Sequence, residues 1–171
     1  MSLTEEKVID LDLGQIKKSK IRIDHDQNRV IELNLSDMNI VQRMNVSYKN
    51  LLKLAEEATQ LSNTVVDVDT EDEEAVAQAL ETVSNTLSDL DKKMRDEVDY
   101  LFDSKVSDVC LPTGTMYDPH DGMFTFEHII SSLANLYTNN FKEEFDKMRK
   151  NVEKHTGKYT KKPQDHQRKQ K

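Results

Sequence analysis

Four residues in one stretch, Asp118, His120, Asp121 and His128, are of types that ligate metal or exchange protons. An imidazole beside a carboxylate makes an acid–base pair, and two imidazoles at i and i+4 share one helix face and hold zinc. His120 and His128 are instead separated by a turn and a helix cap. Asp118-Pro119-His120-Asp121-Gly122 is also made of turn-forming residues, and the turn reading outweighs the metal reading. A second acidic cluster, Asp67, Asp69, Glu71, Asp72, Glu73 and Glu74, has the density of a calcium loop. Counted from Asp67, Asp72 stands where an EF-hand requires Gly and Gln78 where it requires Glu. These acids fit the start of a helix, where the dipole favours negative charge. Cys110, the single cysteine, lies between Val109 and Leu111 with no base nearby in sequence, and reads as a small buried hydrophobe. There is no P-loop, G-x-G-x-x-G, G-x-S-x-G or H-E-x-x-H. The residues therefore nominate no catalytic, metal or cofactor site, and the expected function is binding.

Composition narrows the partners. The 171 residues are 33% charged and 36% hydrophobic, with 6% aromatic and no Trp, so the core supply is modest. Three Pro and four Gly argue against a many-stranded, loop-rich fold. The net charge of −8 is unevenly spread: from Lys154 onward the chain carries +6, leaving −14 on the rest. An acidic body disfavours nucleic acid and anionic membranes. The basic end has Tyr159 as its one aromatic, too few for single-strand stacking, so it reads as a match for an acidic protein surface or simply as a solubilising end with no partner. One cysteine permits no internal disulfide, and neither a signal peptide nor an ~18-residue apolar span is apparent, so the expected address is cytoplasmic.

The positioning elements follow from periodicity. Val76, Leu80, Val83, Leu87, Leu90, Met94, Val98 and Leu101 recur at steps of three and four, which predicts one long amphipathic helix over 70–102. Thr70-Glu71-Asp72-Glu73 is a capping box for its start. Lys20–Asp24 and Arg29–Leu35 alternate and flank His25-Asp26-Gln27-Asn28, which predicts a β-hairpin, with Val8–Leu13 a candidate third strand. Ser36 is the expected cap of a first helix running to about Ser62, with Asn63–Asp69 breaking it. Ser107–Met123, with Pro112, Gly114, Pro119 and Gly122, reads as a long irregular loop. Thr125 then caps a third helix carrying Phe126, Ile129, Ile130, Leu133, Leu136, Tyr137, Phe141, Phe145, Met148 and Val152 and ending at Gly157. The expected fold is α+β, mostly α, as one domain over 1–157 followed by a basic, disordered tail over 158–171.

This order of elements, with IRIDHDQNRVIELNLSD in the hairpin, VDYLFDS closing the long helix, and FTFEHIISSLANLY after the Gly/Pro loop, resembles the small tail assembly chaperones of tailed bacteriophages and prophages. The resemblance covers most of 20–151 and carries over no individual residue. It implies a non-enzymatic protein of the bacterial host cytoplasm. Such a protein binds the long helical tape measure protein and keeps it soluble until tail tube subunits replace it. It is absent from the finished virion, and some members are also made as a longer frameshifted product. On that reading the apolar residues flanking the loop, Leu101, Phe102, Leu111, Phe124, Phe126, Ile130 and Leu133, are the expected client contacts. Lys158, Lys161, Lys162 and Arg168 would steer association. The alternative is a self-associating structural or adaptor subunit of a phage particle, a homo-oligomer needing no client.

Overall fold

The computed structural model describes residues 18–66 and 73–156. The candidate strand Val8–Leu13, the capping residues Thr70 to Asp72, and the tail 158–171 lie outside the described residues.

The alternating segments pair as expected. Strands β1 (Ser19–Arg22) and β2 (Val30–Leu33) are antiparallel, with Ile21 opposite Ile31 and Ser19 opposite Leu33. Ile31 and Leu33 are buried, so one face of this two-stranded ribbon rests on the helices, as so small a sheet requires. Asp24 and His25 take positive φ in the turn, a conformation that Asp and His tolerate better than most side chains.

Helix α1 (Ile40–Val66) begins later and ends later than its sequence suggests. The entry is held by Asp37 rather than Ser36: Asp37 Oδ1 accepts from the Asn39 amide at 2.9 Å, and its other oxygen takes Arg43 at 2.7 Å. Residues 63–66 stay helical, because the mild cost of β-branched residues is small beside continuing an established helix. Helix α2 (Glu73–Phe102) runs alongside α1. Leu51 and Ala55 of α1 and Met94, Val98 and Leu101 of α2 join one hydrophobic core. The helix stops at Asp103, whose φ is 49°, while the Ser104 amide reaches the Asp99 carbonyl at 3.1 Å. That is a left-handed helix end of the Schellman type with Asp in place of Gly.

The segment expected to be irregular is more ordered than that. It holds a one-turn helix α3 (Ser107–Cys110) and a miniature hairpin of β3 (Pro119–His120) and β4 (Met123–Phe124). Asp121 and Gly122 both have positive φ, which suits a tight two-residue turn. Helix α4 (Thr125–Thr156) follows. Its start is closed by Glu127, whose carboxylate accepts the Phe124 amide at 2.9 Å, while Thr125 turns its hydroxyl to the Asp118 carbonyl.

Helix α4 runs in the same direction as α2. The Met116 amide donates to Asp91 and the Phe126 amide to the Met116 carbonyl, which sets the α4 start level with Asp91. Eleven residues on along each helix, the Tyr137 and Phe102 rings meet at 6.1 Å between centroids. Asn140 then donates to the Leu35 carbonyl at 3.0 Å, and Phe141 is the last α4 side chain packed on the core. Beyond it, α4 continues past the end of α2 as an arm.

Candidate functional site

Arg95 and Arg29 hold the Ser107–Phe124 segment to α2 and to the hairpin, and a third arginine, Arg43, ties α1 to the end of α2. Arg95 donates to Asp91 at 2.7 Å, to the Leu111 and Gly114 carbonyls at 2.9 Å each, and to Asp108 at 3.0 Å. Arg29 reaches from the hairpin to the Val109 and Cys110 carbonyls at 3.0 and 2.8 Å. Arg43 caps the end of α2 through the Leu101 carbonyl at 2.8 Å. The guanidinium fork suits several backbone oxygens at once, which a lysine could not match. The sequence reading missed all three. Only the i, i+4 spacing of Asp91 and Arg95 was visible in advance, since the carbonyl partners lie far along the chain.

Carboxylates complete the scaffold. Asp99 accepts the Val106 and Ser107 amides at 2.9 and 2.8 Å and so starts α3. Burial raises the pKa of Asp99, but the Ser107 amide, Lys105 and the Val106 amide together hold its carboxyl below the usual value. Glu127 spans two elements: one oxygen closes α4 and the other accepts the Tyr48 hydroxyl at 2.7 Å. That hydrogen bond, with burial, raises the pKa of Tyr48. Phe126 sits in the resulting frame, 6.1 Å from the Tyr48 ring and stacked at 5.8 Å on Phe124.

This geometry places most of the expected apolar client contacts in the core. Leu101, Phe102, Phe126, Ile130 and Leu133 are at most 5% exposed and form the core, while Leu111 and Phe124 are half-buried against it. The five core residues hold the fold and present little surface to a partner, while Leu111 and Phe124 keep part of theirs. Replacing Phe126 with a small residue would cost about 3–5 kcal/mol of stability, so lost binding in such a variant would report unfolding. Lys158, Lys161, Lys162 and Arg168 lie outside the described residues.

The chemistry-bearing residues resolve as follows. His128 Nε2, on the first turn of α4, lies 2.8 Å from the carbonyl of His120 on the miniature hairpin, and the two rings sit 5.3 Å apart. Asp118 binds back to Thr115 within its own turn. No group of three or more metal-ligating side chains occurs among the described residues. Cys110 is half-buried, and burial pushes its thiol up to about 11. Its environment therefore disfavours the thiolate that nucleophilic chemistry needs.

What the fold leaves open lies elsewhere. The apolar stripe of α2 is buried from Leu90 to Phe102, but toward the helix start it emerges. Val83 and Leu87 are half-buried and Leu80 is 48% exposed. With Ser84, Asp91, Thr115 and Tyr117 they line an open trough of about 560 Å³. Tyr117 forms its wall, with the hydroxyl 3.4 Å from the Leu87 carbonyl. From Glu73 to Asp91 the helix carries no basic residue, so the trough is apolar on its floor and acidic around it. A smaller groove of about 320 Å³ lies between β1 and α4, lined by Ile21, Ile23, Ile129 and Leu136 among others. On the α4 arm, Phe145 and Met148 are 53% and 59% exposed. No helix among the described residues is long and apolar enough to cross a membrane. Comparison with protein-family models, curated proteins and solved structures gives no match.

Proposed function

We propose that the chain is a non-enzymatic tail assembly chaperone of a tailed phage or prophage, which covers the apolar stripes of the tape measure protein in the host cytoplasm. The observation that carries the binding role is the α2 trough: an apolar strip continuous with the core stripe but only partly covered, about 17 Å of helix from Leu80 to Asp91. A strip of that kind accepts an amphipathic helix, whose apolar anchors at i, i+3, i+4 and i+7 settle between Leu80, Val83 and Leu87. The order of hairpin, helix, long helix, Gly/Pro segment and helix supports the family reading.

The acidic rim adds selectivity for a client with basic residues flanking its apolar stripe and keeps the complex soluble. The test is co-expression with the tape measure protein encoded by neighbouring genes. Support is a soluble complex that Leu80→Asp with Leu87→Asp disrupts while the variant keeps its helical content. A tape measure protein that stays insoluble, or a complex untouched by those substitutions, would overturn the reading.

A further inference from the structure

We propose that the exposed arm of α4, residues 142–156, docks in the α2 trough of a second copy of this chain, in a reciprocal antiparallel dimer. The inference uses the trough described above but needs no client.

The arm cannot reach its own trough. Helices α2 and α4 run in parallel, level at Asp91 with Phe126 and again at Phe102 with Tyr137. The arm therefore leaves the body at the end where α2 finishes. The trough lies at the opposite end, about 22 Å of helix back from Phe102 at Leu87. Its occupant must come from another molecule.

The two surfaces match in pattern and charge. The trough spans Leu80 to Asp91, about 17 Å of helix, and the 15-residue arm is long enough to cover it. Phe145 and Met148 on the arm have the three-residue step of Leu80 and Val83 on α2. The last two turns of the arm carry Lys150 and Lys154 against Glu153, Lys147 and Arg149 being paired within the arm to Glu144 and Asp146, whereas the start of α2 beside the trough carries Glu73 and Glu81. Direction follows from charge order. In an antiparallel pairing the basic end of the arm meets Glu73 to Glu81, and Glu143, Glu144 and Asp146 fall toward Lys92 and Lys93. A parallel pairing would instead set those three acids against Glu73 and Glu74. Antiparallel bodies side by side place each arm at the other's trough at once, which is a closed two-fold arrangement with both contacts made twice. Client and second copy then compete for one surface, so the dimer is a storage form that a client opens.

The experiment is sedimentation equilibrium on the full chain without client. The wild type is expected at twice 19.8 kDa by about 100 μM. Phe145→Asp with Met148→Asp, at side chains more than half exposed, should weaken self-association at least about 100-fold with unchanged helical content. Lys150→Glu with Lys154→Glu should weaken it about tenfold, as should Glu73→Lys with Glu81→Lys, and all four changes in one chain should restore it. A monomeric wild type at that concentration overturns the proposal and leaves the client reading untouched. A dimer indifferent to the arm substitutions, or four charge reversals that fail to restore it, overturns it as well.

Discussion

Arg95→Met is expected to lower stability by about 3 kcal/mol. The long stem of Met keeps most of the packing, so the loss isolates the guanidinium. Arg95 and Asp91 are 18% and 16% exposed at the side chain and pair at 2.7 Å, which makes theirs a largely desolvated charge-assisted bond worth about 1.5–3 kcal/mol. The Leu111 and Gly114 carbonyls each lose a donor, but water reaches the exposed Gly114 side and replaces part of that. Asp108 is 86% exposed and adds little. Asp91 would keep the Met116 amide at 2.6 Å and so stay partly satisfied, which holds the total below the full cost of a broken buried pair. With a urea dependence of about 2 kcal/mol per molar, the unfolding midpoint should fall by roughly 1.5 M. Asp91→Asn and the double variant complete a cycle whose coupling should exceed about 1 kcal/mol. A midpoint shift under roughly 0.5 M, or strict additivity, would refute the view that this arginine pins the loop to α2.

Three further outcomes follow from individual environments. Ser47 is fully buried and its hydroxyl has no hydrogen-bond partner among the described residues, so Ser47→Ala should be neutral or stabilise by up to about 1 kcal/mol in urea unfolding; a clear loss would mean the hydroxyl is satisfied. Cys110, with its thiol pushed up to about 11, should react with a disulfide reagent at pH 7 roughly two orders of magnitude more slowly than free cysteine, the rate rising about tenfold per pH unit; a rate equal to free thiol would contradict the burial. Asp99 is held below its ordinary value of 3.8, so its contribution is present above that pH and is lost as pH falls through the lower folded value. Asp99→Asn should therefore be less stable than the wild type near neutrality, with the gap closing in strong acid; a gap independent of pH would remove the charge from the explanation.

The fold was legible wherever a repeat forces a direction on the backbone. The spacing from Val76 to Leu101 drew α2 to within a few residues, and the alternation of Ile21, Ile31 and Leu33 gave the hairpin and its inward face. Boundaries were less legible. Asp37 and Ser36 are both good caps in isolation, and the choice falls to Arg43 six residues on, which holds Asp37 in place. The candidate site was least legible, for a physical reason. An apolar stripe states which face seeks cover but not how much of it is covered. Phe126 and Phe145 occupy the same stripe of α4, yet one is fully buried and the other 53% exposed, because α4 outruns α2. Likewise Leu101 and Leu80 share the α2 stripe and end in core and trough respectively. The relative offset of two helices decides this, and here it is set by the contacts of Asp91 and Arg95 with the loop.

The most direct test of the central claim is amide hydrogen exchange on the chain alone and in complex with the tape measure protein. The account predicts that client binding adds protection in α2 between Leu80 and Ser88 and at Tyr117, with little change in the already buried segment Met94–Phe102. Protection concentrated away from the trough, or a complex that leaves Leu80–Ser88 unchanged, would contradict it.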